Sequence, residues 1–293
     1  MAGILFSDEY EVIELEFQSN KIEWVNSVNE NGQAARRISL YKKCYFFMWD
    51  SIDRYAFSED KPVRGTVGTG YPPYINNHGV VSELPITDAG EKYSINNTGD
   101  LCKNGVPIEK TMSWCKMSKI RVNNYGQILG RVMLNNGKYS IVIFNEFNQS
   151  ITTIPSPLKY PLSPEDINDL GLVVGSYHDG ICHHGILWTP QAGTQVLVNF
   201  KPAAINNNGT IVGSKWVNND CLFGHPRSKR RGIIWDQGLF IDISEKLNLD
   251  KLFSSNILWI TELSDINDQG QIVGWGVDIN LQQKGVYITP KNN

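Results

Sequence analysis

The sequence predicts an all-β fold: a single closed β-propeller spanning residues 1–293, with about six four-stranded blades and five or seven as the alternatives. Three observations predict it. An apolar-Asn-x-x-Gly motif recurs along the chain, an aromatic residue follows most copies at a nearly fixed distance, and the two chain ends carry complementary unpaired strands.

The first periodic segment, Tyr10 to Phe17, precedes any turn motif and takes the place of a fourth strand, while the chain stops after Gly285-Val286-Tyr287-Ile288-Thr289, a third strand. If the N-terminal strand completes the last blade, no sheet edge is left open. Between these ends lie the turn segments beginning at Val28-Asn29, Ile75-Asn76, Ile95-Asn96, Val122-Asn123, Ile167-Asn168, Ile205-Asn206 and Ile266-Asn267, each reaching Gly three residues beyond the Asn. Asn and Gly supply the turn geometry and the β-branched flanks supply the strands. Trp49, Trp114, Phe144, Trp188, Trp235 and Tyr287 mark third strands, and runs such as Gln195 to Val198 mark fourth strands. Gly79 and Gly99 lie too close together for two blades, so the copies at Ile75 and Ile95 are expected to share one irregular blade.

Composition narrows the function classes. With 41% hydrophobic residues the chain can bury a substantial core, and a net charge of −3 gives no global attraction to nucleic acid or anionic membrane. The segment Ala2 to Phe6 is too short for a signal peptide or a membrane span, and five scattered cysteines without CxxC pairs fit a reducing compartment. The expectation is a soluble monomer, cytoplasmic or delivered outside the cell by a route without a Sec signal peptide.

At Ala204-Ile205-Asn206-Asn207-Asn208-Gly209-Thr210-Ile211-Val212-Gly213 and His184-Gly185-Ile186-Leu187-Trp188 the chain resembles the bacterial HAF-repeat β-propeller family. The resemblance covers most of the chain and fades over the first hundred residues. It implies a repeat architecture and carries no catalytic residues to transfer, so function is argued from loops.

The long second-to-third and fourth-to-first connections share one rim, where binding residues are expected to gather. Two neighbouring loops stand out: Tyr177 to Gly185, carrying His178, Asp179, Cys182, His183 and His184, and the loop Lys215 to Arg231, carrying Trp216, Cys221, Phe223, His225, Arg227, Lys229, Arg230 and Arg231. Zinc takes about four N, S or O ligands, and His178, Cys182, Cys221 and His225 are the candidates. Their spacings fit no zinc signature, and His184 holds the ordinary family His position, so no metal is expected. The same Cys and His residues offer a nucleophilic pair, but no nucleophile elbow, phosphate loop or HExxH accompanies them. No catalytic residue and no cofactor are assigned.

The basic run Arg227 to Arg231 beside Trp216 and Phe223 suits an acidic or phosphorylated surface, since guanidinium groups pair bidentately with carboxylate and phosphate. It is too small for strong non-specific nucleic-acid binding. Trp216 and Trp275 follow second strands and are the candidate stacking residues. Residues 244–253 have leucines at helical spacing and are expected to form a short helix. The function expected is a non-catalytic scaffold that binds a protein partner through this rim. The alternative is an enzyme or a small-ligand or metal-binding propeller that uses the rim's His, Cys and Asp residues.

Overall fold

The structure, a computed structural model, describes residues 10–15, 23–40, 43–49, 74–82, 84–109, 113–114, 120–134, 137–156, 159–217, 230–247 and 257–291, with the backbone alone described at 23–24, 36–40, 43–49 and 113–114. Among these residues the fold is all-β apart from a single helical turn. After β1 (Tyr10–Glu14) come β2 (Glu23–Val28), β3 (Ala34–Leu40) and β4 (Lys43–Trp49), which form one sheet. β5 (Tyr74–Ile75) pairs with β6 (Val81–Ser82), and β7 (Tyr93–Ile95), β8 (Leu101–Lys103) and β9 (Val106–Glu109) form the next sheet. The fourth contains β10 (Ser113–Trp114), β11 (Arg121–Val122), β12 (Gln127–Met133), β13 (Tyr139–Asn145) and β14 (Ser150–Ile154).

Two regular four-stranded antiparallel meanders follow. One is β15 (Ser163–Ile167), β16 (Val173–His178), β17 (His183–Thr189) and β18 (Gly193–Leu197); the other is β19 (Phe200–Ile205), β20 (Ile211–Trp216), β21 (Arg230–Asp236) and β22 (Leu239–Asp242). After α1 (Ile243–Lys246), the strands β23 (Ile257–Ile266), β24 (Ile272–Asp278) and β25 (Gln283–Pro290) make a sheet to which β1 adds, antiparallel to β25 with Val12 opposite Ile288. Cores form between successive sheets. Ile211, Ile233 and Trp235 of one meander pack with Val174 and Leu197 of the other, and Leu15 packs with Val25, Val28, Val273 and Tyr287 where the first and last sheets meet.

The Asn of each turn explains the recurrence of the motif. At Asn206, Oδ1 accepts the backbone N–H groups of Asn208 and Thr210 at 3.1 and 3.0 Å, and Nδ2 donates to the carbonyl oxygen of Asn267 in the next turn at 3.0 Å. Asn29, Asn76, Asn123, Asn168 and Asn267 repeat the pattern, donating to the carbonyl oxygens of Asn76, Thr87, Asn168, Asn206 and Asn29 respectively. All six side chains are buried, which satisfies polar groups that water cannot reach.

A second belt runs through the following residues. Backbone N–H groups donate from Glu30 to Asn77, Asn77 to Asp88, Asp88 to Asn124, Asn124 to Asp169, Asp169 to Asn207, Asn207 to Asp268 and Asp268 to Glu30, so the series of side-chain acceptors returns to its start. Gly209 ends its turn at φ +83°, a conformation that glycine adopts without strain. Gly213 is required for a different reason: a Cβ there would lie 2.1 Å from the Lys201 carbonyl oxygen.

Three features depart from the sequence reading. The turns at Asn76 and Asn96 lie in separate sheets, and the turn facing the belt between Asn76 and Asn123 is Thr87-Asp88-Ala89-Gly90. Thr supplies an acceptor in place of Asn but no side-chain N–H, which is why a search for Asn-x-x-Gly passes over it. Asn96 keeps its amide within its own turn, on Asp100. Trp114 stands opposite Val132 of β12, a second strand, rather than on a third strand. The helix over 244–253 is described only as the four-residue α1, capped by Asp242; residues 248–253 lie outside the described residues.

Candidate functional site

The strands that lead into the turns line a cavity of about 220 Å³. Its wall is set by the residue two before each turn Asn: Ser27, Tyr74, Arg121, Asp166, Ala204 and Asp265. Bulges between Val25 and Ser27, Pro164 and Asp166, Pro202 and Ala204, and Leu263 and Asp265 interrupt the period of two, the device by which a strand re-aims a side chain. Arg121 lies over the Tyr74 ring, donates to its hydroxyl and approaches Asp166 at 3.8 Å. The carboxylates also join sheets: Asp265 accepts from Val28 N–H at 2.9 Å and Asp166 from Ile205 N–H at 3.0 Å.

Crowded carboxylates raise each other's pKa. Burial, with the charge of Asp166 adding to it, pushes Asp265 up to about 7. Burial also pushes Glu30 up to about 7; the Asp268 N–H opposes this, and the charges of Asp268, Asp88 and Asp169 add to it. Both groups bind protons more tightly in the folded state than in the unfolded chain. Their contribution to stability is therefore complete below the ordinary carboxyl range and is lost as pH rises through about 7. Glu30→Gln, which keeps an oxygen for Asp268 N–H, is expected to raise the melting temperature by several degrees at pH 8 and to change it little at pH 4. Melting curves at the two pH values check this, and an equal effect at both would show that Glu30 does not titrate in this window.

On the rim, the sequence-predicted residues divide. Phe223, His225, Arg227, Lys229 and Cys221 lie outside the described residues. Trp216 and Arg230 are cross-strand partners on β20 and β21, and the Arg230 guanidinium lies 4.6 Å from the Trp216 ring centroid. Arg231 lies 5.2 Å from the ring centroid of Trp259. Stacking of this kind holds a guanidinium flat; Arg230 also reaches Glu262 at 3.5 Å, and Arg231 donates to the Arg230 carbonyl oxygen at 2.9 Å.

His178 and His183 meet edge to face at 4.7 Å, and His183 lines a cleft with Asn199, Lys201, Ser214, Trp216 and Arg230. Burial, then the charges of Lys201, His178 and Arg230, hold the His183 imidazole down near 4, so it is neutral at pH 7. Asp179 faces elsewhere. It accepts from Ile181 N–H, Cys182 N–H and His184 Nε2, contacts that lower its pKa and fix the β16–β17 turn. Trp275 is buried and is not a surface stacking residue.

Cys182 is disulfide-bonded. This departs from the reduced cysteines expected from the sequence. It also removes Cys182 as a zinc ligand or nucleophile, since both roles need a thiolate. Among the described residues no group of three or more His, Cys, Asp or Glu side chains is placed to hold a metal ion.

Sequence reasoning missed Lys201, Ser214 and Asn199 in the cleft, and Arg121, Asp166 and Asp265 in the cavity. The second set had a signal: Arg121, Asp166 and Asp265 each stand two positions before a turn Asn. The first set had none, because it is assembled from separate strands.

No family model matches the chain, and no curated protein sequence matches it. Solved structures do. A catalytically inactive variant of virginiamycin B lyase from Staphylococcus aureus, crystallised with quinupristin, is 13% identical, with 96% of this chain and 99% of that chain covered and a TM-score of 0.51. The β-propeller domain of the Trilobed protease from Pyrococcus furiosus is 10% identical over 93% of this chain and 86% of that one, TM-score 0.46. A putative TolB from Agrobacterium tumefaciens is 10% identical over 80% and 87%, TM-score 0.46. The protein is all-β, and its structural neighbours are β-propellers. At such identities the likeness concerns the fold alone.

Proposed function

We propose that the protein is a closed β-propeller of seven blades, the larger of the two alternatives to the six that its motif count suggests, and that it acts as a non-catalytic protein-binding scaffold. The belt of seven turns supports the count, with Thr87 supplying the turn that the motif misses. The pairing of β1 with β25 supports closure. The motif also supports kinship with the HAF-repeat family. One observation carries the functional reading: two guanidinium groups, Arg230 and Arg231, lie over the indoles of Trp216 and Trp259 on one rim. Arg and Trp are the residues that most often dominate binding energy at interfaces, and stacking limits the entropy lost when they engage an acidic partner.

The cavity favours a second reading, a small-ligand binder, because Arg121, Asp166 and Asp265 converge on it. Their hydrogen bonds to neighbouring sheets already account for the two carboxylates, which leaves the rim as the stronger candidate. The test is quantitative affinity capture with the parent and a Trp216→Ala/Arg231→Ala variant of unchanged melting temperature. Loss of at least tenfold in partner binding is expected, about 1.4 kcal/mol. Capture of the same partners at parental affinity would overturn the rim assignment.

A further inference from the structure

We infer that the contact from Asp268 to Glu30, between the last and first turns of the belt, is a proton-dependent latch: it holds while Glu30 carries a proton and opens locally, ahead of the other contacts, when that proton leaves. The inference does not depend on the rim; it comes from the order of residues around the belt. That order is Glu30, Asn77, Asp88, Asn124, Asp169, Asn207 and Asp268, acids alternating with amides. An alternating series closes on itself without a mismatch only when its number of members is even. The belt has seven members, so one contact must join like to like, and it joins the acids Asp268 and Glu30.

The contacts differ in what they supply. Where an amide precedes an acid, the acid accepts both the backbone N–H and the side-chain Nδ2: from Asn77 to Asp88 at 2.8 and 2.8 Å, from Asn124 to Asp169 at 2.9 and 3.2 Å, and from Asn207 to Asp268 at 2.6 and 2.8 Å. Where an acid precedes an amide, its backbone N–H meets a neutral oxygen, as from Glu30 to Asn77 at 2.8 Å. From Asp268 to Glu30 an ionised residue without a side-chain donor faces a carboxyl group. The Asp268 N–H is shared between Glu30 Oε1 and Oε2 at 3.1 and 3.0 Å.

Burial is the main force against charge on Glu30, and the charged groups that add to it are the carboxylates Asp268, Asp88 and Asp169, opposed by the Asp268 N–H. A proton on Glu30 removes one of two neighbouring like charges and leaves a carbonyl oxygen for that N–H. Release of the proton to solvent leaves two carboxylates joined through one backbone donor. The latch is therefore at full strength below the ordinary carboxyl range and is lost as pH rises through about 7. Asp265, which accepts from Val28 N–H between the same two sheets, is raised by burial and by Asp166, and its charge reaches Arg121. Opening stays local because Asn267 Nδ2 still holds the Asn29 carbonyl oxygen at 2.9 Å, and Leu15, Val25, Val28, Val273 and Tyr287 remain packed.

The test is amide hydrogen exchange followed by NMR at pH 5 and pH 8, each rate divided by that of an unstructured chain at the same pH. Protection of Asp268 N–H is expected to fall at least tenfold between the two, while protection of Asn124 and Asn207 N–H changes less than twofold. The Asp268 amide proton shift should titrate with its midpoint at about 7. Glu30→Gln, which keeps the acceptor without the charge, should abolish the fall. Asp268→Asn moves the mismatch to an uncharged amide pair with Asn207 and gives Glu30 a second donor, so it should reduce the fall to less than threefold. No fall in the parent, an equal fall at all three amides, or a fall that survives Glu30→Gln overturns the latch. A fall abolished by Glu30→Gln but unchanged in Asp268→Asn overturns the meeting of two acids as its origin.

Discussion

Asn206→Ala is expected to cost about 3–5 kcal/mol of stability, with a melting temperature lower by on the order of 10 °C. The substitution removes the donor to the Asn267 carbonyl oxygen and the acceptor for two backbone N–H groups, of which that of Thr210 is buried. A buried donor left without a partner costs about 1–3 kcal/mol, and three broken bonds around one buried side chain set the range. The control is Asn96→Ala. Asn96 has the same sequence motif and accepts the N–H groups of Thr98 and Asp100, but its amide stays within its own turn and the side chain is less buried. Its loss is expected to cost about 1 kcal/mol, near the typical net value of hydrogen bonds at a partly exposed site. Equal destabilisation by the two substitutions would show that the bonds between turns contribute nothing.

The contrast between Asn206 and Asn96 also marks where the sequence was informative. Repetition of apolar-Asn-x-x-Gly reveals the strand-turn-strand unit, because that geometry is local and depends on residue types a few positions apart. Which turns meet depends on contacts between residues distant in the chain. Asn96 carries the motif and stays out of the belt, whereas Thr87 belongs to it with a different residue. The rim shows the same limit. Trp216 and Arg230 are visible as an aromatic and a cation in one loop, but their pairing with each other and with Lys201 and Ser214 follows from strand register, which a one-residue slip would undo. The cleft was therefore half legible: its residue types were, its partners were not.

Removal of residues 1–17 is expected to produce the other large effect, a melting temperature lower by well over 10 °C together with aggregation that rises with concentration. β1 contributes Tyr10 and Val12, and the following Leu15, to the core; all three are buried. Tyr10 and Val12 pack with Ile257, Ile260, Val286 and Ile288, while Leu15 packs with Val25 and Tyr287. Full burial of such side chains contributes about 1.5–3 kcal/mol each, so their loss alone removes several kcal/mol before any backbone bond is counted. The Lys284 to Glu14 ion pair at 2.9 Å is lost as well. What remains is β25, a long strand whose outward N–H and C=O groups have lost their partners from Tyr10 to Glu14, and such an edge pairs with another copy when no strand covers it. Because a shortened chain can fail to express, Val12→Asp provides a second variant, placing a charge opposite Ile288 in the core. A synthetic peptide of residues 8–17 added to the shortened chain should recover part of the lost stability by strand addition, and the same peptide bearing Val12→Asp should not. A shortened chain that melts with the parent and stays monomeric would show that β1 does not hold the two ends of the molecule together.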